Sequence, residues 1–517
     1  RGPDGFPVKS SAVIKVTGGL DIDFLAVAKK VHDLVAAIQT ADATLKVFDE
    51  NNKYAYVKDP EDKTVLVLGS GLVSKSVVEY LGRSKDRMMI VASNDENDAK
   101  AIARVARRGR HSSLDVNNDE RGLCDLIKSA DAVISLLPAP MHPQIAELCI
   151  KHHKNLVTAS YESDQMRGYR EAAEAAGIII LNEVGLDPGL DHMSAKRLID
   201  DIHERGGTVT SFRSVCGGLP APEAANNPLK YKFSWSPRGV ITASQNSARY
   251  RKDNVIIEVD GEHLLQNAVP FSEGWPELQL ECLPNRDSLL YEKVYGIENV
   301  PTIFRGTLRY AGFSSLMHVF RKIGLFGPQL FDNTASWGDL LAELQRIQGH
   351  TGSMEEFFVQ CAGGDRALAS RAMDCLSWMH MTGHNDMVDQ SAPVIDLFCA
   401  KLQEYLQYSK DEHDMVAMHH SISAKFDDGS TEEHTSALQA FGDDSMTAMC
   451  KTVGYPAAAT TDLILRGHLE GKSGILLPIS KDIYEPTLDL MTKEGIVFQE
   501  RVRVVIDPHS NSHFAQG

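Results

Sequence analysis

The sequence predicts an α/β protein: a Rossmann-type doubly wound parallel sheet, a second mixed α/β substrate domain and a helical insertion. Three observations carry this. The apolar run Thr64 to Leu68 breaks at Gly69-Ser70-Gly71 and is followed by Val73, Val77, Val78 and Leu81 at helical spacing. The same alternation of a short apolar run with a helical stretch recurs as far as Leu181. Beyond about residue 191 short strands dominate, and from about residue 318 the period turns helical.

Taken in order, Thr64 to Leu68 reads as a buried parallel strand, because its residues are apolar without alternation. Met88 to Ala92, a short run around Leu114, Ala132 to Leu137, Leu156 to Ala159 and Ile178 to Leu181 supply five more strands. Helical stretches such as Ala99 to Ala106, Ile145 to Ile150 and Tyr169 to Ala176 separate them. Such a succession closes into a parallel sheet with right-handed crossovers. Ligands of these sheets sit outside the carboxyl ends of the strands. The residues to read for chemistry are therefore Ser70, Asn94, Pro138, Ser160, Tyr161 and Asp187.

The turn after the first strand suits a dinucleotide. Gly69 and Gly71 allow a tight turn that brings a pyrophosphate against the amide end of the next helix. The third position of this fingerprint is Ser74, not Gly or Ala. Many strand-to-helix turns use glycine for its backbone freedom alone, so it is the surrounding alternation that gives the motif its weight. At the end of the second strand an acid would accept the ribose hydroxyls of NAD, whereas an arginine would receive the extra phosphate of NADP. Ser93, Asn94, Asp95 and Asp98 stand there, with no arginine before Arg104, which favours NAD. The alternative is that Asp95 and Asp98 only cap the following helix.

The chain has 517 residues, which at about 150 per domain is roughly three to four units. Its net charge of −17 and pI near 5.6 argue against nucleic acid or an anionic membrane as partner. Eight cysteines are scattered without a Cys-x-x-Cys pair, as expected of reduced thiols in an intracellular protein without a metal site. No apolar stretch reaches the roughly 18 residues that a membrane span needs. The chain opens at Arg1, so the absence of a targeting signal decides nothing about compartment.

Residues 1–60 hold a strand-like Ala12 to Val16, a helix with apolar face Phe24, Val27, Val31, Leu34 and Ile38, and a charged linker from Asp49 to Lys63. Residues 61–190 are assigned to the dinucleotide domain, rejoined by about 442–475. Residues 191–317 make the mixed domain, with strands Val209 to Val215, Val255 to Val259, Leu278 to Leu283 and Thr302 to Leu308, completed by about 413–441 and 476–506. Residues 318–412 are helical, with Leu340, Leu341, Leu344 and Ile347 on one face and Met373, Leu376, Ser377 and His380 on another. A hairpin turns at Asp427-Asp428-Gly429 between Met415 to Phe426 and Thr431 to Phe441. The helical stretch Met446 to Leu465 is expected to break near Gly454 and Pro456, and strand-like Ile496 to Val505 closes the chain.

Three further clusters stand out. Cys216 to Glu223, followed by Asn226 to Leu229 and Lys232 to Ser236, is rich in glycine and proline and reads either as a rigid loop shaping a site or as a buried connector. Pro284 to Ser288 and Arg305 to Tyr310 contain Arg286 and Arg309. Their planar forks suit a substrate with several carboxylates, although surface ion pairs would use the same residues.

The strings VLVLGSGLV, DAVISLLP, LVTASY, GLDPGLDHM, CGGLPAPE, NNPLKYKFSWSP, PNRDS and FRGTLRY lie in order from about residue 65 to 310. Together they resemble the saccharopine dehydrogenase family, in its glutamate-forming branch, and the pattern continues to about residue 505 through Met449 to Gly454. The likeness is strongest to the dehydrogenase halves of bifunctional lysine-degrading enzymes; residues 1–60 more weakly resemble the segment that joins the halves. The resemblance implies an NAD-dependent oxidoreductase that converts saccharopine to L-glutamate and L-2-aminoadipate 6-semialdehyde. It is compatible with a homo-oligomer, with fusion to a lysine-ketoglutarate reductase upstream, and with a cytoplasmic or mitochondrial matrix setting.

The resemblance also implies site roles. Asp187 would relay a proton or orient the amine, Tyr161 would donate a hydrogen bond, and Cys216 is a third catalytic candidate. Gly69, Ser70, Gly71, Asn94, Asp98, Leu137 and Ala159 would lie along the dinucleotide. Ser160, Tyr161, Asp187, Arg286, Thr307, Leu308 and Arg309 would surround saccharopine. Ser93-Asn94 stands where fungal-type members carry Cys-Arg, which supports NAD and a catabolic direction. His192 is expected to pack at the start of the next helix.

Overall fold

The computed structural model describes residues 62–331, 335–384, 388 and 391–505. The strand, helix and most of the linker expected in residues 1–61 lie outside these.

Following the chain, β1 (Lys63–Leu68), β2 (Arg87–Ser93), β3 (Gly109–Ser113), β4 (Ala132–Ser135), β5 (Asn155–Thr158) and β6 (Ile179–Leu181) come first. They alternate with helices that include Ser74–Gly82, Glu96–Ala103, Glu120–Ser129 and His142–Lys151. Next are β7 (Gly207–Pro220), β8 (Ala248–Lys252), β9 (Val255–Val259), β10 (Val269–Phe271), β11 (Leu280–Pro284) and β12 (Thr302–Tyr310). After five helices between Phe313 and Tyr405 the hairpin β13 (Asp414–Phe426) and β14 (Thr431–Phe441) follows. The helix Ala448–Leu465 then leads to β15 (Gly474–Leu476), and β16 (Gln499–Val505) is the last strand among the described residues.

One sheet runs β15-β6-β5-β4-β1-β2-β3 and is parallel throughout. Its central strand explains why: Val65, Leu66, Val67 and Leu68 are all fully buried, as helices on both faces require. The second sheet runs β10-β11-β12-β7-β13-β14-β16, with β8 beside β12 and β9 beside β8. Its one parallel pair on the main path is β12 with β7. The hairpin falls where the sequence placed it, Gly429 taking φ +85 and Phe426 N–H donating to the Ser430 carbonyl at 2.9 Å.

Several expectations are corrected. The run at Leu114 is strand only up to Ser113, and the fourth strand stops at Ser135, two residues before Leu137. Strands β8, β10 and β15 were not anticipated: β8 is largely charged, and the other two are three residues long, too short to show a period. The helix Ala448–Leu465 runs unbroken through Gly454 and Pro456. Close packing overrides local propensity there: a Cβ on Gly454 would lie 1.9 Å from Ser76 Oγ and 2.9 Å from the Val73 carbonyl. Ser76 Oγ also donates to the Cys450 carbonyl at 2.6 Å, tying this helix to the one behind the glycine turn. In the helical part Leu340, Leu341, Leu344 and Leu376 are buried as expected, but Ile347 is exposed, as are Ser377 and His380. That part also begins earlier, with Phe313–Ile323.

Candidate active site

The glycine turn is built for a close approach. Gly69 takes φ +103, its N–H donates to the Ala92 carbonyl at 2.9 Å, and a Cβ there would come 3.3 Å from the Leu136 carbonyl oxygen. At Gly71 an added Cβ would meet nothing within 4 Å, and Leu72 is 62% exposed, so this side of the turn is open. Ser74 explains its own departure from the fingerprint. It is fully buried, and its hydroxyl donates to the Gly69 carbonyl at 2.9 Å, clasping the turn from within. Ser70 Oγ donates to Ser93 Oγ at 2.8 Å and so links the turn to the end of β2. Asn94 is exposed beyond it, with Asp98 in the first turn of the next helix. Asp95 is the cap of that helix, accepting from the Asp98 N–H at 2.9 Å. Leu137 and Ala159 lie half-buried just past β4 and β5. An open glycine turn before a helix N-terminus fits a dinucleotide pyrophosphate.

Past β5 and β6 the chain assembles a polar cluster. Tyr161 donates its phenol to Asp187 Oδ1 at 2.6 Å. Arg305, from β12 of the other sheet, donates through Nη2 to the same Asp187 oxygen at 2.7 Å and to Asp191 Oδ2 at 2.6 Å. Arg305 is only 2% exposed, and its Nε and Nη1 are buried with no hydrogen-bond partner among the described residues. Its guanidinium lies 4.3 Å from the Tyr291 ring centroid. Behind it, Asp191 Oδ1 accepts the Gly189 N–H at 2.6 Å. His192, fully buried as expected, bridges Glu183 Oε2 at 2.8 Å and Tyr295 Oη at 2.6 Å.

These surroundings set the charges. Burial raises the Asp187 carboxyl above the usual range against the pull of Arg305, and Asp191 adds to the rise. Burial acts on Asp191 in the same sense, but His192, Arg305 and the Gly189 N–H overrule it and hold that carboxyl low. Burial would lower His192, yet Asp191 and Glu183 raise it. Burial keeps the Tyr161 phenol protonated, and burial with the two aspartates pushes the Cys216 thiol well up. Cys216 is thus a neutral thiol at the site wall, which makes it a poor proton acceptor.

Successive strand residues point to opposite faces, so Arg305, Thr307 and Arg309 share the face of β12 that looks at Asp187. Cys216 on β7 pairs with Thr307. Leu308 has the other parity, and its side chain is fully buried in a cluster with Val215, Phe271 and Trp275, so only its backbone can reach a ligand. Arg309 is 5% exposed, donates Nη1 to the Leu308 carbonyl at 2.8 Å and packs over Tyr231 and Phe313. Arg286 is exposed, with its guanidinium 4.7 Å from the Tyr161 ring centroid. Ser160 Oγ hydrogen-bonds with His142 Nε2 at 2.8 Å. The structure therefore brings Tyr161, Asp187, Cys216, Arg286, Thr307 and Arg309 to one place. Sequence reasoning missed Arg305, Asp191, Glu183 and Tyr291. Alternation along FRGTLRY was the available signal for Arg305.

Among the described residues no helix is long and apolar enough to cross a membrane, and no group of three or more His, Cys, Asp or Glu could hold a metal ion.

A doubly wound parallel sheet with an open glycine turn, facing a buried acid–tyrosine–arginine cluster, defines a nicotinamide dinucleotide-binding protein of dehydrogenase type. The chain belongs to the saccharopine dehydrogenase family: residues 65–181 match the model "Saccharopine dehydrogenase NADP binding domain" and residues 185–496 match "Saccharopine dehydrogenase C-terminal domain". It is 37% identical over 462 residues to the mitochondrial alpha-aminoadipic semialdehyde synthase of Mus musculus, covering 88% of this chain and 49% of that protein. Thus the chain spans about half the length of these synthases. It is 36% identical to the saccharopine dehydrogenase [NADP(+), L-glutamate-forming] of Saccharomyces cerevisiae over 448 residues, 85% of this chain and 99% of that one. The solved apo saccharopine dehydrogenase (L-Glu forming) from Saccharomyces cerevisiae superposes with a TM-score of 0.76 at 36% identity, covering 85% of this chain and 100% of that chain.

Proposed function

We propose that the chain is an oxidoreductase of lysine degradation that uses NAD+ to oxidise saccharopine, yielding L-glutamate and L-2-aminoadipate 6-semialdehyde. The observation that carries this reading is the buried Tyr161–Asp187–Arg305 cluster at the strand ends, faced by Arg286 and Arg309. Saccharopine has three carboxylates and a secondary amine, and the site offers cations for the former and a carboxylate of raised proton affinity for the latter. The parallel sheet, residues 61–190 with 442–475, would hold the dinucleotide. The mixed sheet, residues 191–312 with 413–441 and 476–505, would hold the substrate, and residues from Phe313 to about 412 would form a helical third domain.

Gly69, Ser70, Gly71, Asn94, Asp98, Leu137 and Ala159 would hold the dinucleotide, which supplies the hydride acceptor when bound. The chain's own residues then have these tasks. Asp187 takes the proton of the substrate ammonium, leaving the neutral amine that hydride loss from the lysine-side carbon requires. Tyr161 holds Asp187 in place through its 2.6 Å hydrogen bond. Hydride loss from the neutral amine leaves an iminium; water adds to its carbon and releases a proton to solvent, and Asp187 then gives its proton to the nitrogen and takes that of the hydroxyl as the carbon–nitrogen bond breaks, freeing the semialdehyde and glutamate. Arg286 and Arg309 bind substrate carboxylates, with Ser160, Thr307 and the Leu308 backbone around the chain between them. Cys216 packs the wall.

NAD is preferred here because the exposed end of β2 carries Asn94 and no arginine, although the fungal relatives are named for NADP(+). Mixing the purified chain with saccharopine and each coenzyme tests both levels. We expect NADH to form, with kcat/KM for NAD+ at least about tenfold above that for NADP+, a difference of about 1.4 kcal/mol. Equal or better use of NADP+ would overturn the coenzyme choice, and no reduction of either would overturn the activity.

A further inference from the structure

Arg305 reaches the site with one nitrogen and spends it on two carboxylates. Its Nη2 donates to Asp187 Oδ1 at 2.7 Å and to Asp191 Oδ2 at 2.6 Å, while Asp191 is itself pinned by the Gly189 N–H. Asp191 is 1% exposed, touches no open surface of the site and has no part in the proton transfers described above. The helix Leu190–Glu204 has its own apolar anchors in fully buried Leu190, Met193, Ala195, Ile199 and Ile202. Burying a second carboxylate beside the first is costly unless it serves a purpose.

We propose that Asp191 is a positioning residue that sets how tightly Asp187 holds its proton, by sharing the Arg305 Nη2 with it and by opposing its negative charge. This rests on the reading of Asp187 as proton acceptor. Were Arg305 to serve Asp187 alone, the pair would be an ordinary buried ion pair, with a carboxylate too weakly basic to take a proton from an ammonium. With Asp191 drawing on the same nitrogen, Asp187 keeps a higher proton affinity, and His192 with Glu183 behind it holds Asp191 ionised so that the competition persists.

The charged and titratable groups that face Asp187 come from several elements. Arg305 comes from β12, Cys216 from β7, Tyr161 from the loop after β5, and Tyr291 from the helix Leu290–Tyr295. Asp191 and His192 come from the helix Leu190–Glu204, with Glu183 behind His192. Arg286 stacks on the Tyr161 ring, Arg309 lies toward Cys216, and His420 on β13 is linked to the same helix through Ser194. Of these, Asp191 is the negative charge that shares a donor with Asp187.

The test uses two substitutions at Asp191, one that removes its charge and one that keeps it. Asp191→Asn removes the opposing charge and leaves Arg305 to Asp187, so the Asp187 carboxyl should titrate at least about one pH unit lower. Asp191→Glu keeps the negative charge and should leave the Asp187 titration near its parent value; a shift as large as in Asp191→Asn would overturn the role of the charge. Both are read by carbon-13 titration of the Asp187 carboxyl in the full chain, assigned with Asp187→Asn, and by the acid limb of the pH profile of kcat for saccharopine. An unchanged or raised titration in Asp191→Asn overturns the proposal. Should Asp191→Asn fail to fold, Asp191→Ser decides: a downward shift supports the proposal, and no shift or an upward one overturns it. A carboxyl that moves while the kcat profile stays put supports the tuning and removes Asp187 from the proton-acceptor role.

Discussion

At the scale of single residues, the two arginines expected to grip carboxylates are not equivalent. Arg286 is exposed and rests on the Tyr161 ring, so Arg286→Ala should lower kcat/KM for saccharopine by tens- to hundreds-fold while leaving the melting temperature and NAD+ affinity unchanged. Arg309 is buried and bonded to the Leu308 carbonyl, so Arg309→Ala should cost both kcat/KM and several degrees of melting temperature. Calorimetry beside steady-state kinetics checks the contrast; equal melting losses in both variants would show that Arg286 also holds the fold. Tyr161 and Asp187 were legible because each follows a strand whose apolar run ends visibly, and ligands of such sheets gather at those ends. Arg305 was less legible, since three neighbouring positions of β12 carry donors and only the period of 2 tells which share a face. Asp191 could not be read, because Arg305 reaches it only through the approach of two sheets; Glu183 meets His192 nine residues on, across an irregular turn after β6 that no periodicity marks.

Among the elements, the glycine turn and the returning helix show two different uses of glycine. Gly454 faces backbone and Ser76 at distances no Cβ tolerates, so Gly454→Ala should cost about 1–3 kcal/mol despite the helix-favouring alanine. Gly71 faces open space, so Gly71→Ala should leave the melting temperature unchanged while weakening dinucleotide binding. Thermal melts with and without NAD+ separate the two; an undisturbed Gly454→Ala would contradict the packing. The expected break at Gly454 and Pro456 followed local propensity correctly, and it failed because this helix is buried along most of its length, where packing outweighs propensity. The hairpin at Gly429 was readable because a turn and its flanking strands are contiguous in sequence, whereas β15, three residues long, declares itself only by joining β6.

At the scale of the whole molecule, buried histidines make stability depend on pH. Burial lowers His142 to about 4 and His420 to about 3. Both are depressed in the folded state, so their stabilising contribution is complete above the unfolded value of about 6.5 and is lost as pH falls toward the folded values. His192 has the opposite sign: raised by its acidic neighbours, it contributes fully below about 6.5, and that contribution is lost as pH rises through its folded value. Denaturant titrations should therefore show stability falling from pH 6.5 to 5, with a shallower slope in His420→Gln; a rise over that window would contradict the assignment. In the proposed reaction both sheets act together: one would supply Asp187 beside the hydride acceptor, the other the cations that fix which carbon faces it. Saccharopine deuterated at the lysine-side methylene next to nitrogen tests this most directly, by following turnover with NAD+ through mass spectrometry of coenzyme and products. Deuterium on the reduced coenzyme, with glutamate and the semialdehyde as products, is expected; unlabelled NADH with lysine and 2-oxoglutarate would overturn the proposed reaction.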